Sequence, residues 1–271
     1  MRHLAHPGYQ FCALLLAGSF FAPSADAFTP SDVYTAVSVV TGQGAENRAK
    51  GFVDCLEKVL PRVSGNSRLA NGKELQAARE HAADYIEGFS YRDRLADRPV
   101  HDEQGTYDRP HDLTCHFRKD RIDNLLERLG SHPWLAKRPT LEVLLNVRGG
   151  DAAYQVTAEN ARDLAMRQAF GAASDLTGID VTFPSEGGDD RRAVAGIVPL
   201  SGELDWSDSE GGWIATWGLN IQQNADNKPH EARWQARGVS FDDAFRLALK
   251  GAAQVLSGNG EPVGVLAPAA K

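Results

Sequence analysis

Three consecutive segments near the carboxyl end alternate apolar and polar residues, and this alternation constrains the fold more than any other feature. Successive side chains of a β-strand point to opposite faces, so each segment predicts a strand with one apolar and one polar face. The apolar positions are Val198, Leu200, Gly202, Leu204 and Trp206, then Trp213, Ala215, Trp217, Leu219 and Ile221, then Ala232, Trp234 and Ala236. We therefore expect strands over 196–206, 213–222 and 230–238.

These strands carry four of the five tryptophans of the chain, which suit either a ligand platform or a core. The predicted helix that follows begins with Ser240 as its N-cap. It offers an apolar stripe that includes Phe241, Phe245 and Ala248 to cover the apolar sheet face. We therefore interpret the tryptophans as core, and we expect Trp206, at a strand end, to be partly exposed.

The segment before these strands predicts the other half of the same module. A strand over 140–147 has apolar residues at both parities, which is typical of a central strand covered on both faces. A helix over 158–177 and a strand over 179–184 follow, and this order implies a right-handed parallel crossover. The three antiparallel strands and the closing helix complete the module.

A first module precedes it. Its predicted elements are strands over 33–40, 89–95 and 111–117 and helices over 45–65, 72–89 and 119–130. The aperiodic segment 131–139, which contains two prolines, marks the boundary. We predict an α+β protein of two modules, over 28–137 and 138–257, each a mixed β-sheet packed against helices, with a disordered tail over 258–271.

The first 27 residues have the features of a secretory signal peptide. Arg2 precedes a short apolar run, and Ala25 and Ala27 provide an A-x-A cleavage site. The run is shorter than the roughly 20 residues that span a bilayer. We expect cleavage after Ala27 and a mature periplasmic protein with no membrane span. Its net charge stays at −7, because one basic residue (Arg2) and one acidic residue (Asp26) are removed together.

Two cysteines remain in this mature chain, Cys55 on a predicted helix and Cys115 on a predicted strand. An oxidising compartment permits a disulfide between them. The bridge requires Cα atoms within about 7 Å of each other. The pattern leaves two alternatives open, a disulfide or two separate buried thiols.

No pattern in the sequence identifies a reaction. The densest polar cluster contains His101, Asp102, His111, Asp112, Cys115 and His116, but Cys115 and His116 point to opposite faces of a strand and do not converge on a metal. Asp205, Asp208 and Glu210 lack the spacing of a calcium loop. No stripe of lysine and arginine predicts a nucleic-acid partner. We therefore predict no catalytic residue, no cofactor and no metal.

Several separated motifs resemble a bacterial envelope family called domain of unknown function 2066. They are "CLEKVLPRVSGN" (55–66), "YIEGFSYR" (85–92), the segment 113–145, "GELDWSDSEGGWIATWGL" (202–219) and "RWQARGVSFDDAF" (233–245). The resemblance covers residues 30–257 and implies no reaction and no catalytic residue. The order of elements in the second half also resembles the TolB amino-terminal and CsgG-type folds, which implies an assembly or interaction module.

We expect a non-enzymatic protein that contacts other envelope proteins. The predicted contact residues are Asn220, Gln222, Arg233 and Arg237 on the wet sheet face and Arg98 and Arg109 in the loop 97–110. The alternative is a binder of small molecules or glycans, or a hydrolase, that uses the cleft between the modules near His132, Trp134 and Arg138. The sequence does not identify the partner or the oligomeric state.

Overall fold

The computed structural model describes residues 32–69, 71–96, 109–150, 152–187, 196–221 and 230–266. Within them, two β-sheets each pack helices against one face, and the predicted α+β class is confirmed. The predicted signal peptide lies outside the described residues, as does most of the loop 97–110. None of the helices in this part of the chain combines the length and the apolar character needed to cross a bilayer.

The first module is a three-stranded sheet with helices on one face. Its elements are β1 (Thr35–Thr41), α1 (Ala45–Ser64), α2 (Lys73–Glu80), β2 (Ile86–Asp93), β3 (Pro110–Phe117) and α3 (Lys119–Arg128). β3 lies between β1 and β2 and is antiparallel to both. The sheet is therefore antiparallel throughout, whereas a mixed sheet was expected for this module. β1 and β2 run in the same direction, but β3 lies between them, so they do not pair with each other.

The helix predicted over 72–89 is shorter in the structure. α2 ends at Glu80, a 3-10 turn spans Ala82–Tyr85, and β2 begins at Ile86. Within β2, Phe89 is paired with Cys115 of β3. Pairing with a neighbouring strand thus outweighs the helical spacing of apolar residues that continues through this segment.

A disulfide joins α1 to β3. The Sγ atoms of Cys55 and Cys115 are bonded, and their Cα atoms lie 6.4 Å apart. Both residues are fully buried in the core of the first module. Of the two alternatives that the sequence leaves open, the structure contains the bridge, which fixes the long helix against the central strand.

A polar cluster attaches the start of β1 to α3. The hydroxyl of Tyr34 donates to Oδ1 of Asp123 at 2.7 Å, and Nζ of Lys119 donates to Oδ2 of Asp123 at 2.5 Å. The tyrosine is buried. Burial, together with the hydrogen bond to Asp123, raises the pKa of Tyr34 to about 12.

We expect the variant Tyr34→Phe to lose less stability at alkaline pH than the wild type. The pKa of Tyr34 in the folded protein lies above its ordinary value of 10.0. The stabilising contribution of the tyrosine is therefore complete at pH values below 10 and is lost as the pH rises toward 12. Between pH 9 and pH 11.5, the free energy of unfolding should fall by about 2 kcal/mol more in the wild type. Urea titrations at both pH values measure this, and equal falls in the two proteins would contradict it.

The second module is a six-stranded sheet with two helices on one face. Its elements are β4 (Thr140–Gly149), β5 (Ala152–Gln155), α4 (Leu164–Thr177), β6 (Val181–Thr182), β7 (Ile197–Ser207), β8 (Gly212–Ile221), β9 (His230–Val239) and α5 (Phe241–Ser257). The strand order is β5-β4-β7-β8-β9, and β6 pairs with the start of β4. The predicted crossover and the three antiparallel strands are confirmed, whereas β5 is an unpredicted hairpin strand.

β4 is covered on one face only, although its sequence predicts cover on both. Alternate residues from Leu141 to Val147 are fully buried, whereas Asn146 and Arg148 are exposed and Leu144 is half-buried. The reason is that α4 and α5 pack beside each other on the same face of the sheet. Leu144, the apolar residue of the other parity, therefore lies on a face that no helix of the described residues covers.

The tryptophans form the core of the second module, as predicted. Trp217 and Trp234 are each 1% exposed, and both belong to the cluster packed under α4 and α5. A Cβ atom on Gly202 would overlap the indole of Trp217, so the glycine leaves room for the ring. Trp206 is 47% exposed, which confirms the expectation for that position.

The tail predicted to be disordered follows a defined path through residue 266. Nδ2 of Asn259 donates to the carbonyl of Ser64 at 2.6 Å and to that of His132 at 2.9 Å. Further along, Val265 forms a β-bridge with Trp234. The start of the tail is ordered and not disordered because the Asn259 amide donates to the carbonyl of Ser64, which has no hydrogen-bond donor within α1.

Candidate interaction surface on the second sheet

The face of the second sheet opposite α4 and α5 carries no helix in the described part of the chain. We call it the open face. Strand alternation places polar side chains on it, because the apolar residues of the same strands point toward the helices. Asn146, Glu203 and Asn220 are exposed there, and Thr216 and Gln235 are half-buried. The sheet therefore presents a wide polar surface to solvent.

A row of hydrogen-bonding side chains crosses the open face. Strand register places Gln155, Asn146, Glu203, Thr216 and Gln235 opposite one another on five neighbouring strands. Nε2 of Gln235 donates to Oγ1 of Thr216 at 3.0 Å. The row offers amide, hydroxyl and carboxylate groups, and only Glu203 carries a charge.

The adjacent row forms a groove. Leu144, Ser201, Gly218 and Arg233 are opposite one another on β4, β7, β8 and β9. A Cβ atom on Gly218 would lie 2.6 Å from Oγ of Ser201, so these two small residues form the floor between larger side chains. The groove that these rows line has a volume of about 430 Å³.

Ion pairs lie along one end of the open face. Nε of Arg148 lies 2.6 Å from Oδ1 of Asp205, and Nη2 of Arg237 lies 2.7 Å from Oε1 of Glu210. The hydrogen bond to Asp205 raises the pKa of Arg148 above its ordinary value. These side chains remain substantially exposed, and exposed pairs contribute little to stability, so a partner can compete for both signs of charge at this end.

Comparisons with known proteins match the first module only. A family model described as a domain of unknown function (DUF8605) matches residues 27–135. No curated protein and no solved structure matches the chain. The match carries a different family number from the one that the motifs suggested, and the resemblance to domain of unknown function 2066 stays a prediction.

The structure brings together three of the six residues predicted as contacts. Asn220, Arg233 and Arg237 all lie on strands of the second sheet, and Asn220 is opposite Glu231. Arg109 lies on the first module instead, where its guanidinium pairs with Asp93 at 3.0 Å. The remaining two, Gln222 and Arg98, lie outside the described residues.

Sequence reasoning missed the part of the open face contributed by β4, β5 and β7. Asn146, Gln155, Ser201 and Glu203 line the groove but were not predicted as contact residues. The polar residues Glu142, Asn146 and Arg148 at one parity of β4 were the available signal. It indicates that β4 turns one face to solvent.

The cleft between the modules, the alternative site, is packed. The backbone N–H of Trp134 donates to the carbonyl of Val63 at 2.9 Å, and the Arg138 guanidinium lies 4.5 Å from the Trp134 ring centre. Arg138 also donates to the carbonyls of Arg62, at 2.6 Å, and Thr177, at 2.5 Å. Those carbonyls lie in the last turns of α1 and α4, where helix dipoles are negative. Arg138 therefore joins the two modules.

Burial, followed by the nearby charge of Arg62, lowers the pKa of Arg138 to about 10. The guanidinium therefore stays charged at neutral pH. The space beside this junction, between α1, α4 and α5, measures about 160 Å³ and is lined by Lys58, Lys250 and Glu57 together with small and apolar residues. Glu57 is the acidic residue of this lining, which therefore lacks the pair of carboxylates that glycoside hydrolysis uses.

The described members of the polar cluster 101–116 do not point toward a common metal position. Cys115 is bonded to Cys55, so it is not a thiolate ligand. Asp112 pairs with Arg92 at 2.6 Å, and His111 contacts the carbonyl of Arg109 at 2.7 Å. Across the described ranges, no three histidine, cysteine or acidic side chains are grouped as metal ligands would be. His101 and Asp102 lie outside those ranges.

Proposed function

We propose that this protein is a non-enzymatic interaction module of the bacterial cell envelope that holds a partner protein on the open face. The observation that carries the proposal is the groove of about 430 Å³ in a polar sheet surface that no described helix covers. A sheet that buries one face against helices needs nothing on the other face for its own stability. The face is therefore available for binding.

The dimensions of the open face suit a protein partner. Four strands about ten residues long and spaced by about 4.8 Å, with the four-residue β5 beside them, span an area on the order of 600 Å². A standard protein interface buries about 800 Å² on each partner. The face supplies hydrogen-bonding groups across its whole width and charges of both signs at one end, which is the polar composition of a non-obligate interface.

Export to the periplasm is part of the proposal. The signal-peptide pattern of residues 1–27 supports it, and so does the buried Cys55–Cys115 disulfide, since structural disulfides persist in oxidising compartments. The resemblance to domain of unknown function 2066 and to the TolB amino-terminal and CsgG-type folds supports an assembly role by analogy. Fold analogy does not by itself assign a function.

A small polar ligand, such as a glycan, is the second candidate for the open face. The groove volume of about 430 Å³ falls within the range of small-molecule sites. Such sites enclose most of the ligand's surface, whereas this groove is open along the sheet, so a protein partner is favoured.

A photo-crosslinking residue in place of Asn220 tests the open face in cells that export the full chain. Asn220 is exposed on β8, so its replacement leaves the core intact. We expect one protein adduct of defined mass, and we expect the further substitution Arg233→Glu to abolish it. Arg233 lines the groove, and reversing its charge alters the proposed contact surface.

Arg121 provides the matched control, because it is exposed on α3 of the other module. A crosslinker at Arg121 should not yield the adduct, and Arg121→Glu should not remove the adduct formed from position 220. The same adducts from both positions would contradict a specific surface. If position 220 gives no protein adduct, the protein-partner proposal is wrong.

A further inference from the structure

The end of the described chain adds a short strand to the outer edge of β9. The backbone N–H of Gln235 donates to the carbonyl of Gly264 at 3.0 Å, and the N–H of Leu266 donates to the carbonyl of Arg233 at 2.9 Å. Val265 forms an antiparallel bridge with Trp234 between these two bonds. Residues 263–266 therefore occupy a strand-pairing position beside the open face.

This strand is held weakly. Val263 and Val265 are each 52% exposed, so the attachment relies mainly on the two backbone hydrogen bonds. Two such bonds do not exceed the conformational entropy that four residues lose when their backbone is fixed, so another strand can displace residues 263–266 from the edge.

The edge also selects what can pair with it. Gly264 has a φ of 72°, in the left-handed region, and a Cβ atom there would overlap the carbonyl oxygen of Gln235. A glycine is therefore needed at this point, between residues such as Val263 and Val265 that favour an extended chain. The fitting segment therefore has a glycine between two β-branched residues, as in Val263–Val265 of this chain.

We propose that the β9 edge at Arg233–Gln235 is an acceptor site for an extended segment of a partner protein, and that residues 263–266 occupy it as a displaceable guard. The partner segment would donate to the Arg233 carbonyl and accept from the Gln235 amide, as the guard does. Adding a strand to a sheet edge is an established mode of peptide recognition. The site consists of backbone groups at the edge of the sheet, whereas the open face consists of side chains, those of Arg233 and Gln235 among them.

A shortened chain and a peptide of the protein's own sequence test this site. The chain is ended at Pro262, which keeps Asn259 and its bonds to Ser64 and His132. The probe is the peptide EPVGVLAPAAK, residues 261–271. We expect it to shift the backbone amide resonances of Arg233–Gln235. The expected dissociation constant is on the order of millimolar, because a short tether provides an effective concentration of that order and still holds the resident strand only weakly. Binding to the full chain should be several-fold weaker, because the resident strand competes.

The same peptide with Gly264→Val is the control, and it should cause no shift because its added side chain meets the Gln235 carbonyl. Pairing of two shortened chains through their β9 edges would also support the proposal, since a second strand then occupies the site. Unshifted Arg233–Gln235 amides in a monomeric, folded shortened chain would overturn it. So would equal binding of the two peptides. Neither result bears on the open face, which the crosslinker at Asn220 tests by itself.

Discussion

Replacing both Cys55 and Cys115 with alanine is expected to lower the free energy of unfolding of the first module by about 4 kcal/mol. The two residues are 60 positions apart in the sequence, so the bridge closes a long loop in the unfolded chain. Removing it restores the conformational freedom of that loop to the unfolded state, and the cost rises with loop length. Both side chains are fully buried, so the alanines also leave unfilled space in the core.

Urea denaturation with and without a reducing agent measures this effect. The reductant should destabilise the wild type by about as much as the double substitution does, and it should leave the double variant unchanged. The reductant reaches the bridge in the unfolded chain during the titration. If the denaturation curve of the wild type is nevertheless the same with and without reductant, the bridge contributes nothing to stability. Secondary structure monitored by circular dichroism shows whether the variant still folds.

Much of the fold follows from periodicity in the sequence. The alternation around Trp217 and Trp234 predicts the three antiparallel strands, and the helical spacing after Ser240 predicts α5 with its N-cap, where Oγ accepts from the Asp243 amide. These elements are long and amphipathic, so local pattern and tertiary environment agree. The same reasoning fails over residues 82–88, which were predicted as helix but form a 3-10 turn and the start of β2, where pairing with β3 decides the conformation.

The candidate surface was less accessible to prediction. Asn220 and Arg233 could be assigned to a wet face because their strands alternate strictly. Asn146 could not be placed beside them, since the pairing of β4 with β7 joins segments far apart in the chain. Register between distant strands is a tertiary property that a one-strand pattern does not contain.

Two of the sheet edges, those of β1 and β9, are protected in different ways. On β1, Nζ of Lys58 donates to the carbonyl of Val37 at 3.0 Å, and Nδ2 of Asn47 donates to that of Thr41 at 2.6 Å. Those donors belong to α1, which the core and the disulfide hold in place. On β9, the protection comes from a chain segment with half-exposed side chains. The β9 edge is therefore the one that a competing strand can open.

The substitution Trp217→Ala is expected to destabilise the second module by about 4 kcal/mol. Trp217 is 1% exposed, and its ring lies edge-on to Phe170, with centroids 5.9 Å apart, and near Phe245 at 6.2 Å. Gly202 beneath the ring has no side chain to fill the space that alanine would leave. The cavity therefore persists, and its cost adds to the lost burial of the indole. Calorimetry should show a melting temperature lower by roughly 8–16 °C.

Trp206→Ala is the matched control, because it removes the same side chain from the same sheet at a position that is 47% exposed. Its cost should stay below about 1 kcal/mol, as the lost contact is mainly the edge-on packing against Trp213. If the two variants melt alike, Trp217 does not act as core. If Trp217→Ala kept its melting temperature but lost the adduct formed from position 220, the indole would instead support binding. A large loss of stability at 217 and a small one at 206 would show that burial of the indole under α4 and α5 holds the module together.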